Sequence, residues 1–257
     1  MDIKMIVCDL DGTLLNSDKD VSARTVEVLE RCCAKGLVIA IATARSECAS
    51  QRAIVPVRPD VTITSGGAVV KHKGEVLHEA LISLDITNAL LARLMSESDV
   101  KFISVPTAEG FLVDHPVNPA ETGWRDYLHA KHVDFTQIKH LQAEKIVPFL
   151  PRELAISIAA EFDDVVLTLF TGEEWVQFAC KTATKFNGIV AVAKQLGIDM
   201  VQIAAFGDDL NDLEMLEKCG FGVAMDNAIP EVKAVADFVT ASNNDDGVAL
   251  WLEENVL

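Results

Sequence analysis

Two apolar runs with one amphipathic stretch between them constrain this chain more than any other feature. Ile6-Val7-Cys8 is short and apolar and breaks at once into Asp9-Leu10-Asp11-Gly12-Thr13. Ser22 to Ala34 then carries Val26, Leu29 and Cys33 at helical spacing, with Ser22 suited to the N-cap and Gly36 to the stop. Leu37 to Ala42 is the second apolar run, and it too ends in polar residues, Thr43-Ala44-Arg45-Ser46. Strand, helix, strand in immediate succession is a βαβ unit, and its two strands must run parallel. Strands of a parallel sheet are buried on both faces, which suits the apolar runs, and such sheets hold ligands at their carboxyl ends. The polar residues after each run are therefore candidates for a site.

The same alternation continues with a helix from Glu47 to about Ile54, a strand at Val61 to Thr64 and the loop Ser65-Gly66-Gly67. From Ser83 the pattern changes. Ile86 to Ser96 reads as an amphipathic helix, and Lys101 to Val105 and Gly110 to Val113 as strands around a turn. A proline-bearing connection follows from Val113 to Pro119. Val165 to Phe170 and Trp175 to Cys180 then form an antiparallel hairpin across Thr171 to Glu174. Alternation returns at Lys185. Asn187 to Leu196 is a helix stopped by Gly197, and Val201 to Phe206 is a strand running into Gly207-Asp208-Asp209-Leu210-Asn211-Asp212. Leu213 to Cys219 is a helix, and Gly222 to Met225 and Asp237 to Thr240 are short strands. The expectation is an α/β protein: a Rossmann-like parallel sheet core, residues 1–82 and 183–257, with an α+β cap domain, residues 83–182, spliced into it.

Charge narrows the function. Lys and Arg number 22 against 39 Asp and Glu, a net charge of −17, and half the residues are hydrophobic. That balance rules out wholesale disorder and argues against nucleic acid or an anionic membrane as partner. The six cysteines form no Cys-x-x-Cys pair and several lie in apolar runs, as in a reduced cytoplasmic protein. No signal-peptide pattern opens the chain and no apolar run is long enough to span a bilayer. Three strand ends carry polar clusters: Asp9 with Asp11, Thr43, and Asp208 with Asn211 and Asp212. Asp9, Asp11 and Asp208 make an all-oxygen cage, which selects Mg²⁺ over a soft metal, and crowded carboxylates need such a cation to stay ionised. His72, His78, His115, His129, His132 and His140 fall outside all three clusters, and Trp124, Trp175 and Trp251 read as packing residues. In so acidic a chain a phosphate ligand needs local positive charge. Lys185 is placed for that by its spacing to a helix and to the Gly-Asp loop; Lys181 is the rival.

Asp9-Leu10-Asp11-Gly12-Thr13 resembles the opening motif of the haloacid dehalogenase superfamily of phosphatases. Thr43, Lys185 and Gly207 to Asp212 are similar to its second, third and fourth motifs, in the same order. The insert between the second and third motifs, Leu196-Gly197-Ile198 after Lys185, Gly222-Val223-Ala224-Met225 with Asn227-Ala228, and Asp246-Gly247-Val248 resemble the Cof-type subgroup. The resemblance implies hydrolysis of phosphate monoesters of small metabolites, sugar or cofactor phosphates, through an aspartyl phosphate. It implies Asp9 as nucleophile and Asp11 as acid and base, with Mg²⁺ on Asp9, Asp208 and the Asp11 carbonyl. Lys185, the Thr43 hydroxyl and the Asn211 amide would then hold the phosphoryl group. Asp212 either reaches the metal through water or orients Lys185. Two positions depart from the family's usual pattern: Ala44 stands where a glycine is common, and Gly66 where an asparagine is common. A phosphotransferase or phosphomutase on the same fold, and a non-catalytic metal-binding regulator, are the alternatives. Every chemical position being present weighs against the regulator.

Overall fold

A computed structural model describes residues 1–117, 130–169 and 174–257. The end of the proline-bearing connection, Trp124, His129 and the hairpin tip at 170–173 lie outside the described residues. The chain divides into two compact units. The first comprises Met1–Arg45, Ser50–Glu79 and Thr184–Leu257, the second Ser46–Ala49 and Ala80–Ala183.

The first unit is built on an eight-stranded sheet. Its strands, numbered with the helices in chain order, are β1 (Met5–Cys8), β2 (Val38–Ala42), β3 (Val61–Thr64), β4 (Val69–His72), β5 (Glu75–Glu79), β12 (Ile203–Gly207), β13 (Phe221–Ala224) and β14 (Phe238–Val239). They lie in the order β14-β13-β12-β1-β2-β3-β4-β5. The six from β14 to β3 run parallel, and β4 and β5 add an antiparallel hairpin at the edge. All four residues of β1 are fully buried, as the central strand of a doubly covered sheet requires. From β1 the chain proceeds outward to β2 and β3. After the insert it returns to β1's other side and proceeds to β13 and β14. The gap between β1 and β12 is thus the point where strand order reverses, the ligand position of open α/β sheets.

Helix α1 (Ala23–Ala34) starts where the Ser22 hydroxyl accepts from the Thr25 amide at 3.0 Å and ends before Gly36 at φ +87°. Helix α5 (Lys185–Leu196) starts where the Thr184 hydroxyl accepts from the Asn187 amide at 3.0 Å, and Gly197 closes it in the left-handed region. This cap places Lys185 in the first helical position. Helices α6 (Leu213–Lys218), α7 (Pro230–Val235) and α8 (Gly247–Asn255) follow.

Helix α2 is Glu47–Val57, and in the second unit helices α3 (Leu84–Met95) and α4 (Arg152–Ala159) accompany a six-stranded sheet. Its strands are β6 (Phe102–Thr107), β7 (Gly110–Val113), β8 (Lys131–His132), β9 (Lys145–Phe149), β10 (Val165–Leu169) and β11 (Val176–Cys180), ordered β10-β11-β9-β6-β7-β8. Every pairing is antiparallel except β7 with β8. Leu90, Leu91 and Leu94 of α3 and Ala155 and Ile158 of α4 share one core with Ile103, Val105, Ile146, Val176 and Phe178 of the sheet. Alternation along the strands sends Phe102, Ser104, Lys145, Phe149 and Gln177 to the opposite face.

Candidate active site

The carboxyl ends of β1 and β12 bring together five of the side chains singled out from sequence. The Lys185 ammonium donates to Asp9 Oδ1 at 2.7 Å, to Asp212 Oδ1 at 2.7 Å and to Asn211 Oδ1 at 2.9 Å. It is 2% exposed, and an ammonium has three protons, so all of them are spent on these contacts. Asp208 stands beside this group, its Oδ1 accepting from the Thr13 hydroxyl at 2.9 Å. Oxygens of Asp9, Asp208 and Asp212 lie within 4.8 Å of one another.

Gly12 makes that approach possible. At φ +80° it sits where side chains are strained, and a Cβ there would fall 2.1 Å from Asp208 Oδ2. Gly67, at φ +108°, plays the same part for the loop after β3: a Cβ would fall 2.1 Å from the Thr184 carbonyl oxygen, at the cap of the helix that carries Lys185. Asp212 is the fixed point of its loop. Its Oδ2 accepts from the amides of Asp208 at 3.0 Å and Asp209 at 3.2 Å, while Oδ1 accepts from Lys185. Both of its oxygens thus already serve Lys185 and the backbone.

Thr43 and Asp11 lie elsewhere on the same edge. Thr43, buried at the end of β2, accepts from the Arg45 amide at 3.1 Å through its hydroxyl oxygen, leaving the hydroxyl proton to donate. The Asp11 carboxylate stands outside the acidic group. Arg45 grips it in a two-pronged pair, Nε to Oδ2 and Nη2 to Oδ1, both at 2.7 Å, and Lys19 adds a contact at 3.0 Å. Arg45, Lys19 and Thr13 were not among the expected site residues. Arg45 is adjacent to the Thr43 cluster and Thr13 is inside the first motif, so both were within reach of the sequence. Nothing in the sequence pairs Lys19 with Asp11. Lys181, the rival cation, has no part in this cluster.

Electrostatics follow from these contacts. Burial pushes the Asp9 carboxyl up to about 8, with Lys185 opposing the rise and Asp212 adding to it. Burial likewise pushes Asp208 up to about 6 against the Thr13 hydrogen bond. Burial would drive the proton off Lys185, but the charges of Asp212 and Asp9 more than reverse this and hold it above the ordinary lysine range. At Asp11 burial acts upward too, but the hydrogen bonds and charge of Arg45, joined by Lys19, hold the carboxyl below its usual range. Asp9 and Asp208 are thus two carboxylates that hold a proton more tightly than usual. An all-oxygen donor set of this kind fits a hard divalent cation, which would let both ionise.

A parallel sheet that delivers such a cluster to its strand ends, with an α+β unit spliced into the chain, is the framework of a phosphatase. The chain belongs to the haloacid dehalogenase-like hydrolases: that family's sequence model matches residues 6–252. YxeH of Bacillus subtilis (strain 168) is 29% identical over 269 residues, which cover 99% of this chain and 98% of that protein. The 5-amino-6-(5-phospho-D-ribitylamino)uracil phosphatase YitU of the same organism is 27% identical, with 97% and 96% covered. Among solved structures, the subclass IIB sugar phosphatase BT4131 superimposes with a TM-score of 0.83 at 26% identity, with 98% of each chain covered. No helix among the described residues is long and apolar enough to cross a membrane.

Proposed function

We propose that the protein is a Mg²⁺-dependent phosphatase that hydrolyses phosphate monoesters of small metabolites through an aspartyl phosphate. One observation carries the reading: a buried ammonium locked between Asp9 and Asp212, with Asp208 alongside, at the strand-order reversal of the sheet. Asp9 attacks phosphorus, the bond from phosphorus to the alcohol oxygen breaks, and the leaving alkoxide takes a proton from Asp11. Water then attacks the phosphorus of the aspartyl phosphate and gives a proton to Asp11, and inorganic phosphate leaves as the Asp9 carboxylate is restored. Lys185 fixes Asp9 and contributes its charge, since its protons are committed, while the Thr43 hydroxyl and the Asn211 amide donate to phosphoryl oxygens. The Arg45 pair disfavours a proton on Asp11, so the acid step requires Arg45 to let go. An arriving phosphoryl group is a partner that can draw the guanidinium away.

Asp9 and Asp208 would hold the cation, with the Asp11 carbonyl and a water-linked Asp212 as further positions. Mg²⁺ there would neutralise the carboxylates and polarise a phosphoryl oxygen. The alternation breaks at both ends of residues 83–182, and we assign that segment to a cap that selects the ester. The described cysteines are all free thiols, consistent with a cytoplasmic setting. YitU and BT4131 are named for a phosphorylated ribityl compound and for sugars, which supports sugar or cofactor-precursor phosphates as the substrate class. Incubation with p-nitrophenyl phosphate and Mg²⁺ should release p-nitrophenol and inorganic phosphate, and excess EDTA should stop it. A folded protein that releases neither from any ester of a metabolite panel would overturn the reading.

A further inference from the structure

The loop that follows the first motif carries a cation that the chemistry above does not use. Lys19 donates to Asp11 Oδ1 at 3.0 Å. Its backbone lies in the left-handed region at φ +63°, where glycine and asparagine are at ease and a lysine is strained. Asn16 builds the turn that holds it there. The Asn16 side-chain oxygen accepts from the amides of Asp18 at 3.0 Å and Asp20 at 3.1 Å. The Asn16 carbonyl accepts from the Lys19 amide at 2.9 Å, and the Asn16 amide donates to the Asp20 carbonyl at 3.0 Å. Two residues of the C-terminal part of the same unit secure the turn from outside. The Asn243 side chain donates to the Leu15 carbonyl at 2.7 Å, and the Asn244 side chain accepts from the Ser17 amide at 2.9 Å.

Stability does not account for a lysine at this position. Its side chain is 61% exposed, and an ion pair so open to water contributes little, while the left-handed backbone takes back a comparable amount. A side chain kept in a strained conformation points to a use. The contacts on Asp11 show which use. Arg45 engages both oxygens of that carboxylate, Nε on Oδ2 and Nη2 on Oδ1, and so competes with the proton the carboxyl must carry. Lys19 engages Oδ1 alone. When Arg45 turns to the phosphoryl group, Lys19 still fixes the carboxyl by one oxygen, and Oδ2 is clear to give and take the proton. An acid or base held in place transfers a proton far more effectively than one that swings.

We propose that Lys19 is the positioning residue for Asp11, keeping its carboxyl aimed through both displacements once Arg45 has let go. This rests on the phosphatase reading and deepens it. The test uses Lys19→Gly and Lys19→Asn, since both residues are at ease in the left-handed region and both remove the cation. Each variant should melt no lower than the wild type. Turnover of p-nitrophenyl phosphate is compared with that of the sugar phosphate the wild type hydrolyses fastest. For the sugar phosphate, whose poor leaving group needs the acid, kcat/KM should fall by about tenfold or more, while for the aryl ester it scarcely changes. The second displacement needs the base whatever alcohol has left. Acid-quenched during turnover of the aryl ester, the variants should therefore carry more phosphoryl mass on the peptide holding Asp9 than the wild type does. Lys19→Arg keeps a cation of similar reach and should keep the wild-type ratio of the two esters. A structural fault, or lost attraction for anionic substrates in general, lowers both esters alike. An equal loss on both, an unchanged ratio, or a ratio lost as fully in the Arg variant as in the Gly variant overturns the inference. A wild type that hydrolyses no ester would instead strike at the phosphatase reading.

Discussion

Replacing Lys185 by Met removes a buried cation and leaves its three acceptors in place. Asp9 and Asp212 then face one another inside the protein with no counter-charge, and Asn211 loses its donor. Removing one partner of a buried ion pair costs about 3–5 kcal/mol. At about 2–4 °C per kcal/mol for a protein of this size, the expected fall in melting temperature is about 6–20 °C at pH 8. The penalty depends on pH, and its sign can be worked out. In the wild type the Lys185 value is raised, so its stabilisation is complete below the ordinary lysine value and fades only as pH climbs past the higher folded one. Across neutral pH it is constant. In the variant the stranded carboxylates relieve themselves by taking up protons, so the deficit shrinks toward pH 4 and grows as pH rises to 8. Thermal unfolding of both proteins in EDTA, followed by circular dichroism at pH 4.5, 6 and 8, measures this directly. EDTA keeps a divalent cation from standing in for the lost ammonium. Activity on p-nitrophenyl phosphate should fall by about 10³-fold or more, as when a positioned cation is taken from a phosphoryl-transfer site. A Met variant as stable as the wild type at pH 8, or a deficit equal at all three pH values, would refute the buried network.

Two further outcomes follow from the same geometry. Asp208→Asn should weaken the activating effect of Mg²⁺ by at least about tenfold while Asp212→Asn weakens it far less, because Asp212 already serves Lys185 and two backbone amides. Mg²⁺ titrations of turnover separate the two, and equal loss would make Asp212 a ligand. The raised values of Asp9, about 8, and Asp208, about 6, set a pH trend in EDTA. An acid whose folded value is raised favours folding less as pH climbs from its ordinary value to the folded one, so stability should decline between about pH 4 and 8. Saturating Mg²⁺ should flatten that decline in melting temperature, and a decline unchanged by Mg²⁺ would remove the cation from these carboxylates.

The parallel half of the fold was legible because its signals are local. Ile6 to Cys8 and Leu37 to Ala42 are apolar runs with a capped helix between them, and Ser22 caps that helix as its residue type suggests. The order of the strands was not legible, since nothing in a run of valines and isoleucines names its neighbour. The hairpin of β4 and β5 went unread because its turn is Lys73-Gly74, with φ of +51° and +84°, in place of the Asn-Gly or Asp-Gly that usually marks such turns. Strand β9 escaped as well: it opens on Lys145, a charged residue whose burial only the tertiary structure reveals. At the site, Asp9, Asp208, Asp212, Asn211 and Lys185 were named from motif spacing, and the structure gathers them at one point. Their hydrogen-bond assignments were beyond the sequence, because they depend on angles between elements almost 200 residues apart. The grip of Arg45 and Lys19 on Asp11 spans only 34 and 8 residues, but it too depends on side-chain geometry that residue order does not show.

The central claim is that Asp9 carries the phosphoryl group between two displacements, and Asp11→Asn tests it most directly. An aryl leaving group scarcely needs an acid, whereas the second displacement needs a base whatever alcohol has left. Given p-nitrophenyl phosphate and Mg²⁺ and then quenched in acid, the variant should gain the mass of one phosphoryl group. The gain should be labile to hydroxylamine, map to the peptide holding Asp9, and be absent from the Asp9→Asn, Asp11→Asn double variant. A variant that still turns over the aryl ester without gaining that mass, or a phosphoryl group found on another residue, would contradict the claim.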